Sequence, residues 1–465
     1  MKVCLLNDAF APMIDGVGNV VMNYAIHLTA DQKADVLVGT PRYPRAKYES
    51  YPFTVVPYRS LNTTKLASGY RTGDPLDEKA ISKMTAFKPD IIHTHCPVVS
   101  TMIARIIREQ TGAPVIFTYH TKYDIDIKRV LRFKPAIKEA IQTMVSNIEA
   151  CDDIWVVSQG AGENLRELGF QGDYHVMPNG VDFEKGKVDT ETVKKVTDGY
   201  DLPQGTPVFL FVGRIMTYKG LPIILDALKI LQEQHIDFRM VFIGKGPDEC
   251  WLQERIQALD LTSKCILIGP VYDRQQLRAW NTRADLFLFP STFDTNGLVV
   301  REAAACGLAS VLIQGSCAAE GIIDGHNGFL IEENAQSMAA LLEKINADPD
   351  VLQRVGQYAM DEIYLSWEDA VDLAYHRYQM VLEKGPKEKK INPGTILTTM
   401  TAKRMQDQNL LRMARKELLL DFKNAIGMMD NIAQSEQERE KWKEAIRKQI
   451  TQNAMHTWEY DDTKY

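Results

Sequence analysis

The 465-residue chain holds no apolar run long enough to span a bilayer, so a transmembrane helix is not expected. Its start, Met1-Lys-Val-Cys-Leu-Leu-Asn-Asp, runs directly into a short strand and lacks the longer apolar region of a signal peptide. Basic residues are outnumbered, 54 against 61 acidic, and a net charge of -7 argues against a general nucleic-acid binder. No C-x-x-C pair occurs among the seven cysteines, Cys4, Cys96, Cys151, Cys250, Cys265, Cys306 and Cys317. They are scattered, mostly in apolar strand-like contexts, which predicts reduced core residues in a cytosolic protein. Repeats and low-complexity tracts are missing as well. What remains is a chain of ordinary globular composition, long enough for two substantial cores.

Strand and helix patterns alternate throughout, which predicts an α/β fold with parallel sheets covered by helices. Strands are expected at Lys2–Asn7, Ala34–Gly39, Ile91–His95, Pro114–Tyr119, Asp153–Val157 and Tyr174–Met177. Met177-Pro-Asn-Gly-Val-Asp182 then supplies turn chemistry that closes this half. A second series restarts at Pro207–Gly213 and continues at Phe238–Gly244, Cys265–Gly269, Leu286–Pro290, Ala309–Ile313 and Gly328–Ile331. The expected organisation is a first Rossmann-like domain over 1–183, a charged linker over 184–203 and a second Rossmann-like domain over 204–365. A helix over 366–384 and a helical tail over 385–465 follow. In open α/β sheets, ligands bind beyond the carboxyl ends of the strands.

The most informative segment is Asp294-Thr-Asn-Gly-Leu-Val-Val-Arg-Glu302, followed by Ala303-Ala-Ala-Cys-Gly307. The apolar run Ala284–Pro290 before it reads as a buried strand, so the unit is strand, loop, helix. Gly297 stands where the helix begins. The free N–H groups of Asn296, Gly297, Leu298 and Val299 at such a start, with the helix dipole behind them, favour a diphosphate. Glu302 lies one turn along the same face and can accept hydrogen bonds from ribose hydroxyls. Upstream, Val212-Gly-Arg-Ile-Met-Thr-Tyr-Lys-Gly220 places Arg214 and Lys219 in a loop after a strand. Two fixed cations there stabilise the charge that a departing diphosphate accumulates. A pair of solvated cations and a surface carboxylate are the bland alternatives.

These segments resemble the family-4 retaining glycosyltransferases. Asp294 to Glu302 is similar to their E-x7-E signature, with Asp in place of the first Glu, and Gly213–Gly220 is similar to their G-R-x4-K-G motif. The resemblance implies a GT-B fold, in which two Rossmann-like domains face each other across a cleft. It implies that Arg214 and Lys219 hold the pyrophosphate and that Asp294 and Glu302 bind donor hydroxyls. The expected helix near Trp367–Glu383 resembles the one that crosses back to the first domain. No cofactor or metal is implied, because Arg and Lys supply the charge. His120, in Thr118-Tyr-His-Thr121, corresponds to a histidine that touches the transferred sugar. Asp15-Gly-Val-Gly18 looks like the N-terminal glycine loop, with Gly16 and Gly18 near the acceptor, although an ordinary strand–helix turn explains it as well. Gly244 and Val271 match the second-domain glycine loop and the segment whose backbone reads the base. Ala318-Ala-Glu320 and Asp324-Gly-His-Asn-Gly328 fit a family pattern read as structural turn chemistry. His93 and His95 have H-x-H spacing, but no third ligand with convincing spacing accompanies them, so a metal site is not expected.

The stretch Thr118–Tyr123 and the Asp-Thr-Asn-Gly variant look most like the branch that glycosylates diacylglycerol. The resemblance then implies a hexose carried from UDP-glucose or UDP-galactose to a membrane lipid. An enzyme acting on a saccharide or soluble small-molecule acceptor stands second, and a non-catalytic nucleotide-sugar sensor third. Residues 122–141 interleave Lys122, Lys128, Arg129, Arg132, Lys134 and Lys138 with apolar side chains. Such a stretch can lie on an anionic membrane, gaining about 1 kcal/mol per cation near the surface. A plain helix at a cleft rim competes with it. The expected placement is therefore cytoplasmic, with peripheral contact at the inner face of the cell membrane. The tail, with Leu410, Leu418, Phe422 and Ile426 among basic residues, is expected to pack on the enzyme, pair with a partner helix in self-association or contact membrane.

Overall fold

Apolar runs such as Val208-Phe-Leu-Phe-Val212 and Met240-Val-Phe-Ile243 show no alternation, because strands of a parallel sheet are buried on both faces. The computed structural model describes residues 1–13, 15–30, 32–62, 71–130, 134–346 and 349–386. The tail expected beyond 386 lies outside the described residues, as do Leu131, Arg132 and Phe133 of the basic stretch.

The first series comprises β1 (Lys2–Leu6), β2 (Asp35–Pro41), β3 (Thr54–Tyr58), the short hairpin strands β4 (Ser60–Asn62) and β5 (Arg71–Gly73), β6 (Ile91–Thr94), β7 (Val115–Tyr119), β8 (Asp153–Val156) and β9 (His175–Val176). All but the hairpin form one sheet in the order β3-β2-β1-β6-β7-β8-β9. The second series comprises β10 (Val208–Val212), β11 (Arg239–Ile243), β12 (Cys265–Gly269), β13 (Leu286–Leu288), β14 (Ser310–Ile313) and β15 (Phe329–Ile331), in the order β12-β11-β10-β13-β14-β15. The strand order reverses once in each sheet, at β1/β6 and at β10/β13. Those are the topological switch points, where loops from neighbouring strands diverge and leave room for a ligand. This is the two-sheet α/β architecture that the sequence implies.

Every strand expected from the sequence is present to within two residues. Three were missed. β3 carries Pro57 and forms the sheet edge, where a residue without an N–H is tolerated. The hairpin strands have only three residues each, too few for a pattern. The supposed linker also contains a helix, Thr190–Thr197, whose N-cap Asp189 accepts a hydrogen bond from the Thr192 N–H. None of its residues is buried, so it left no apolar stripe to read.

The second core is rich in aromatics. Phe211 is stacked on Phe289 (ring centroids 6.0 Å apart) and tilted against Phe242 at the same separation. These rings lie under the carboxyl ends of β10 and β11, and each contributes about 1.5–3 kcal/mol of burial. They form a rigid floor for the loops above. The C-terminal helix Trp367–Lys384 is pinned by Tyr378, fully buried and stacked on Trp155 of β8 at 5.3 Å. By contacts, one compact unit comprises 1–117, 123–153 and the described residues from Val381, and the other comprises 118–122 and 154–380.

Candidate active site

The loop after β10 is shaped by glycines that nothing else can replace. The Gly213 N–H donates to Ile243 O (3.0 Å) and the Gly244 N–H donates to Gly269 O (2.9 Å), so three strand ends are tied in a row. Beyond them the Ile215 N–H donates to Lys245 O and the Asp248 N–H to Ile215 O, while Asp248 Oδ2 accepts from the Thr217 N–H at 2.7 Å. This brace leads into a short 3₁₀ turn, Thr217–Lys219, ended by left-handed Gly220. Arg214 is exposed and has no ion-pair partner among the described residues. Lys219 is the more enclosed of the two, its side chain only 14% exposed, with its ammonium 5.7 Å from the centroid of the Phe289 ring.

The loop after β13 approaches the same point, because β10 and β13 are neighbours at the switch point. Lys219 Nζ donates to Asp294 Oδ1 at 2.5 Å, and Ser291 Oγ donates to Asp294 Oδ2 at 2.6 Å. Asp294 therefore reaches the lysine despite being one methylene shorter than Glu. The Thr295 hydroxyl donates to His120 O at 2.8 Å, which fixes the acidic loop against the residues after β7. Asn296, with its amide nitrogen facing Val157 O (3.2 Å), accepts from Asn179 through its oxygen. Gly297 then turns left-handed (φ 57°) and opens the helix Leu298–Ala305, whose start no side chain caps. The first N–H groups of that helix are thus available to an anion. Leu298 and Val299 are partly buried against the second core, which holds the turn rigid.

Glu302 lies one turn along this helix with its side chain 14% exposed. Arg274, the first residue of the helix Arg274–Arg283, donates from Nη2 to Glu302 Oε1 at 2.6 Å. Burial pushes the Glu302 carboxyl above the usual range, and the Arg274 guanidinium opposes that rise. Val271, two residues past β12, is half-buried against the second core. The structure thus brings Arg214, Lys219, Gly244, Asp294, Asn296, Gly297, Leu298, Val299 and Glu302 onto the carboxyl ends of the second sheet, with Val271 beside them.

His120 is 6% exposed, and burial pushes its imidazole down to about 3. It is neutral at any assay pH. The unfolded chain takes up a proton near 6.5 while the folded chain does so only near 3, so stability is lost as pH falls below about 6.5. We expect wild type to lose about 2 kcal/mol relative to His120→Gln between pH 7 and pH 5. Denaturation midpoints of the two proteins across that range check this; parallel curves would refute a buried neutral imidazole.

In the first unit, the helix begins at Gly16, inside the expected glycine turn, and Asp15 Oδ2 accepts from the Gly18 N–H at 2.9 Å. Gly18 packs against Ala9 O, whereas a side chain at Gly16 would meet nothing within 4 Å. His93 and His95 are fully buried with rings 4.1 Å apart, both edge-on to Tyr24, a packing role. Among the described residues, no group of three or more His, Cys, Asp or Glu could hold a metal ion.

Ser291, Thr295, Asn179, Arg274 and Glu320 were not found by reading the sequence for site residues. Glu320, in a segment expected to be structural, caps a distant helix: its two oxygens accept the N–H groups of Gln159 and Gly160, both at 2.6 Å, at the start of the helix Gln159–Glu167. Partners so far apart in sequence leave no local signature. Thr295 lies inside the motif, and a polar residue in a turn that opens a helix is the one signal that could have pointed to it.

With this geometry in view, relatives are informative. Residues 14–185 match the family described as Glycosyltransferase Family 4, and 194–362 match Glycosyl transferases group 1. An alpha-monoglucosyldiacylglycerol synthase of Acholeplasma laidlawii is 24% identical over 77% of this chain and 92% of its own length. A D-inositol 3-phosphate glycosyltransferase of Pseudarthrobacter chlorophenolicus is 25% identical over 82% of this chain and 96% of its own. The crystal structure of Anabaena Alr3699/HepE in complex with UDP superimposes with a TM-score of 0.66 at 17% identity, covering 82% of this chain and all of that one. The chain belongs to family 4 of the GT-B glycosyltransferases, near the monoglucosyldiacylglycerol synthase branch, and is a hexosyltransferase.

Proposed function

We propose that this enzyme moves a hexose from a UDP-sugar to a diacylglycerol-type lipid at a membrane surface, with retention of anomeric configuration. One observation carries the donor half. Lys219, Asp294 and the uncapped helix start at Gly297 converge where β10 and β13 diverge, with Glu302 one turn along. In this reading the diphosphate lies on the N–H groups of Gly297–Val299 and on Arg214 and Lys219. Asp294 and Glu302 accept sugar and ribose hydroxyls. The bond between the anomeric carbon and the diphosphate oxygen breaks, and the acceptor oxygen bonds to that carbon from the same face. The acceptor's proton passes to the departing diphosphate. Arg214 and Lys219 meet the growing negative charge, so no metal is called on.

A glycosidase also uses two carboxylates, but it has no use for a cation committed to one of them beside a phosphate-binding helix start. Support for the lipid comes from the Acholeplasma relative, matched over nearly its whole length. Support for the surface comes from Lys134 and Lys138, both exposed at the start of the helix Lys134–Glu149. Lys128 contributes less, because it is paired with Asp124 at 2.7 Å. No described helix is long and apolar enough to cross a membrane.

The test is product analysis by mass spectrometry with UDP-glucose and UDP-galactose, offering diacylglycerol in anionic vesicles beside soluble sugars and polyols. A lipid-linked α-hexoside is expected, together with vesicle co-sedimentation that weakens at high salt. Product formed only on soluble acceptors would remove the lipid half; a β-linked product would remove retention.

A further inference from the structure

The contact between Arg274 and Glu302 has a geometry that a simple surface ion pair does not need. Arg274 Nη2 takes Glu302 Oε1 alone, and Oε2 has no partner among the described residues. The guanidinium lies 4.4 Å over the ring of Phe183, a residue 1% exposed, and 3.8 Å from Asp182 Oδ2. An immobile ring face thus fixes the plane of the cation, and the cation fixes one carboxylate oxygen. Its Nε is buried with no hydrogen-bond partner among the described residues, so the guanidinium also keeps an unspent donor on this side.

We propose that Arg274 is a positioning residue for the donor nucleotide: it holds one oxygen of Glu302 so that the other is presented to the ribose hydroxyls. The proposal rests on the reading of Glu302 as the ribose acceptor. A carboxylate in so enclosed a place serves that purpose only while ionised. Burial favours its protonated form, and Asp182 adds to that tendency. Arg274 is the charged group that opposes both. Arg278, on the same helix, is committed to Glu184 at 3.1 Å, and the neighbouring helix Pro349–Glu362 turns Val355 and Ala359 inward. β14 adds no ionisable group. Among the described residues, no other cation is placed to replace Arg274.

Removing the arginine raises the pH at which Glu302 takes up a proton, so nucleotide affinity is lost earlier on acidification. We expect Arg274→Ala to bind UDP about tenfold more weakly than wild type at pH 6 and within about twofold of it at pH 8.5. Arg274→Lys keeps the charge and recovers most of the loss at pH 6. Turnover at saturating donor changes little, so the effect falls on KM. Titration calorimetry with UDP from pH 5.5 to 8.5 reads the first three expectations, and steady-state kinetics the last. Equal affinities at all pH values would overturn the proposal. So would tighter binding by Arg274→Ala, which would mark the arginine as a competitor for the carboxylate. A wild type that binds neither UDP, GDP nor ADP would instead sink the underlying reading of the donor site. Because the Arg274 side chain is 41% exposed, its loss leaves the fold intact, and matched denaturation midpoints verify that.

Discussion

Lys219→Ala should lower kcat by about 10²–10³, with a much smaller change in donor KM. In the resting enzyme the ammonium neutralises Asp294 at 2.5 Å in a place that is largely closed to water. In the proposed reading, a bound diphosphate shares that cation with Asp294. As the sugar departs, negative charge on the bridging oxygen grows, and the pull of Lys219 on it grows with it. An interaction that strengthens between ground state and transition state appears in kcat. Lys219→Ala also strands Asp294 beside Ser291 with no counter-charge, which confounds a single variant. Asp294→Asn in the Lys219→Ala background resolves this. If the lost turnover came only from the stranded carboxylate, the double variant matches Asp294→Asn alone; if the cation acts on the leaving group, it is slower than Asp294→Asn by about the factor that separates Lys219→Ala from wild type. Arg214→Ala, at an exposed position, should cost less. A Lys219→Ala enzyme with near wild-type kcat would remove the leaving-group role altogether.

The parts of this site that could be read from sequence are those whose physics is local. A buried parallel strand must be apolar on both faces, so Val208–Val212 and Leu286–Leu288 were visible as runs, and the loops after them were found with them. Gly297 was legible because a left-handed turn before a helix calls for glycine. Non-local partners were not legible. Lys219 and Asp294 are 75 residues apart, Arg274 and Glu302 are 28 apart, and Glu320 is 161 from Gln159. Nothing in the sequence near Asp273-Arg274 distinguishes a cation that meets a carboxylate from one that meets water; only the sheet order brings them together. Asp294 is one methylene shorter than the Glu usual at the first position of the motif. Its contact with Lys219 shows how the loop supplies the missing length, through Ser291 and Thr295, which tie it down on both sides. β3 escaped for the opposite reason, since Pro57 marks a sheet edge and an edge strand does not repeat the pattern of a central one.

Gly244→Ala should destabilise the second domain by on the order of 3–5 kcal/mol, one of the largest effects available to a single methyl group here. The backbone at Gly244 has φ +143°, and a Cβ there would sit 1.8 Å from Gly213 O. That is far inside van der Waals contact with a backbone atom, and a backbone atom cannot rotate away as a side chain does. The neighbouring bonds offer no slack, because the Gly213 N–H is held by Ile243 O and the Gly244 N–H by Gly269 O. The chain must therefore break part of this three-strand tie, and Arg214, the next residue after Gly213, moves with it. Donor affinity should fall along with stability. Gly16→Ala is the control: its added methyl meets nothing within 4 Å, φ is not positive, and Ala is the better helix former at the start of Gly16–Ala30. Its stability should change by no more than about 0.5 kcal/mol. Any loss of transfer by Gly16→Ala would then report a ligand approaching that backbone. Equilibrium denaturation of both variants, with UDP titrations on the folded proteins, separates the two cases. A Gly244→Ala protein as stable as wild type would mean that the β10 and β11 loops do not cross as closely as 1.8 Å implies, and the brace that aims Arg214 would lose its physical basis.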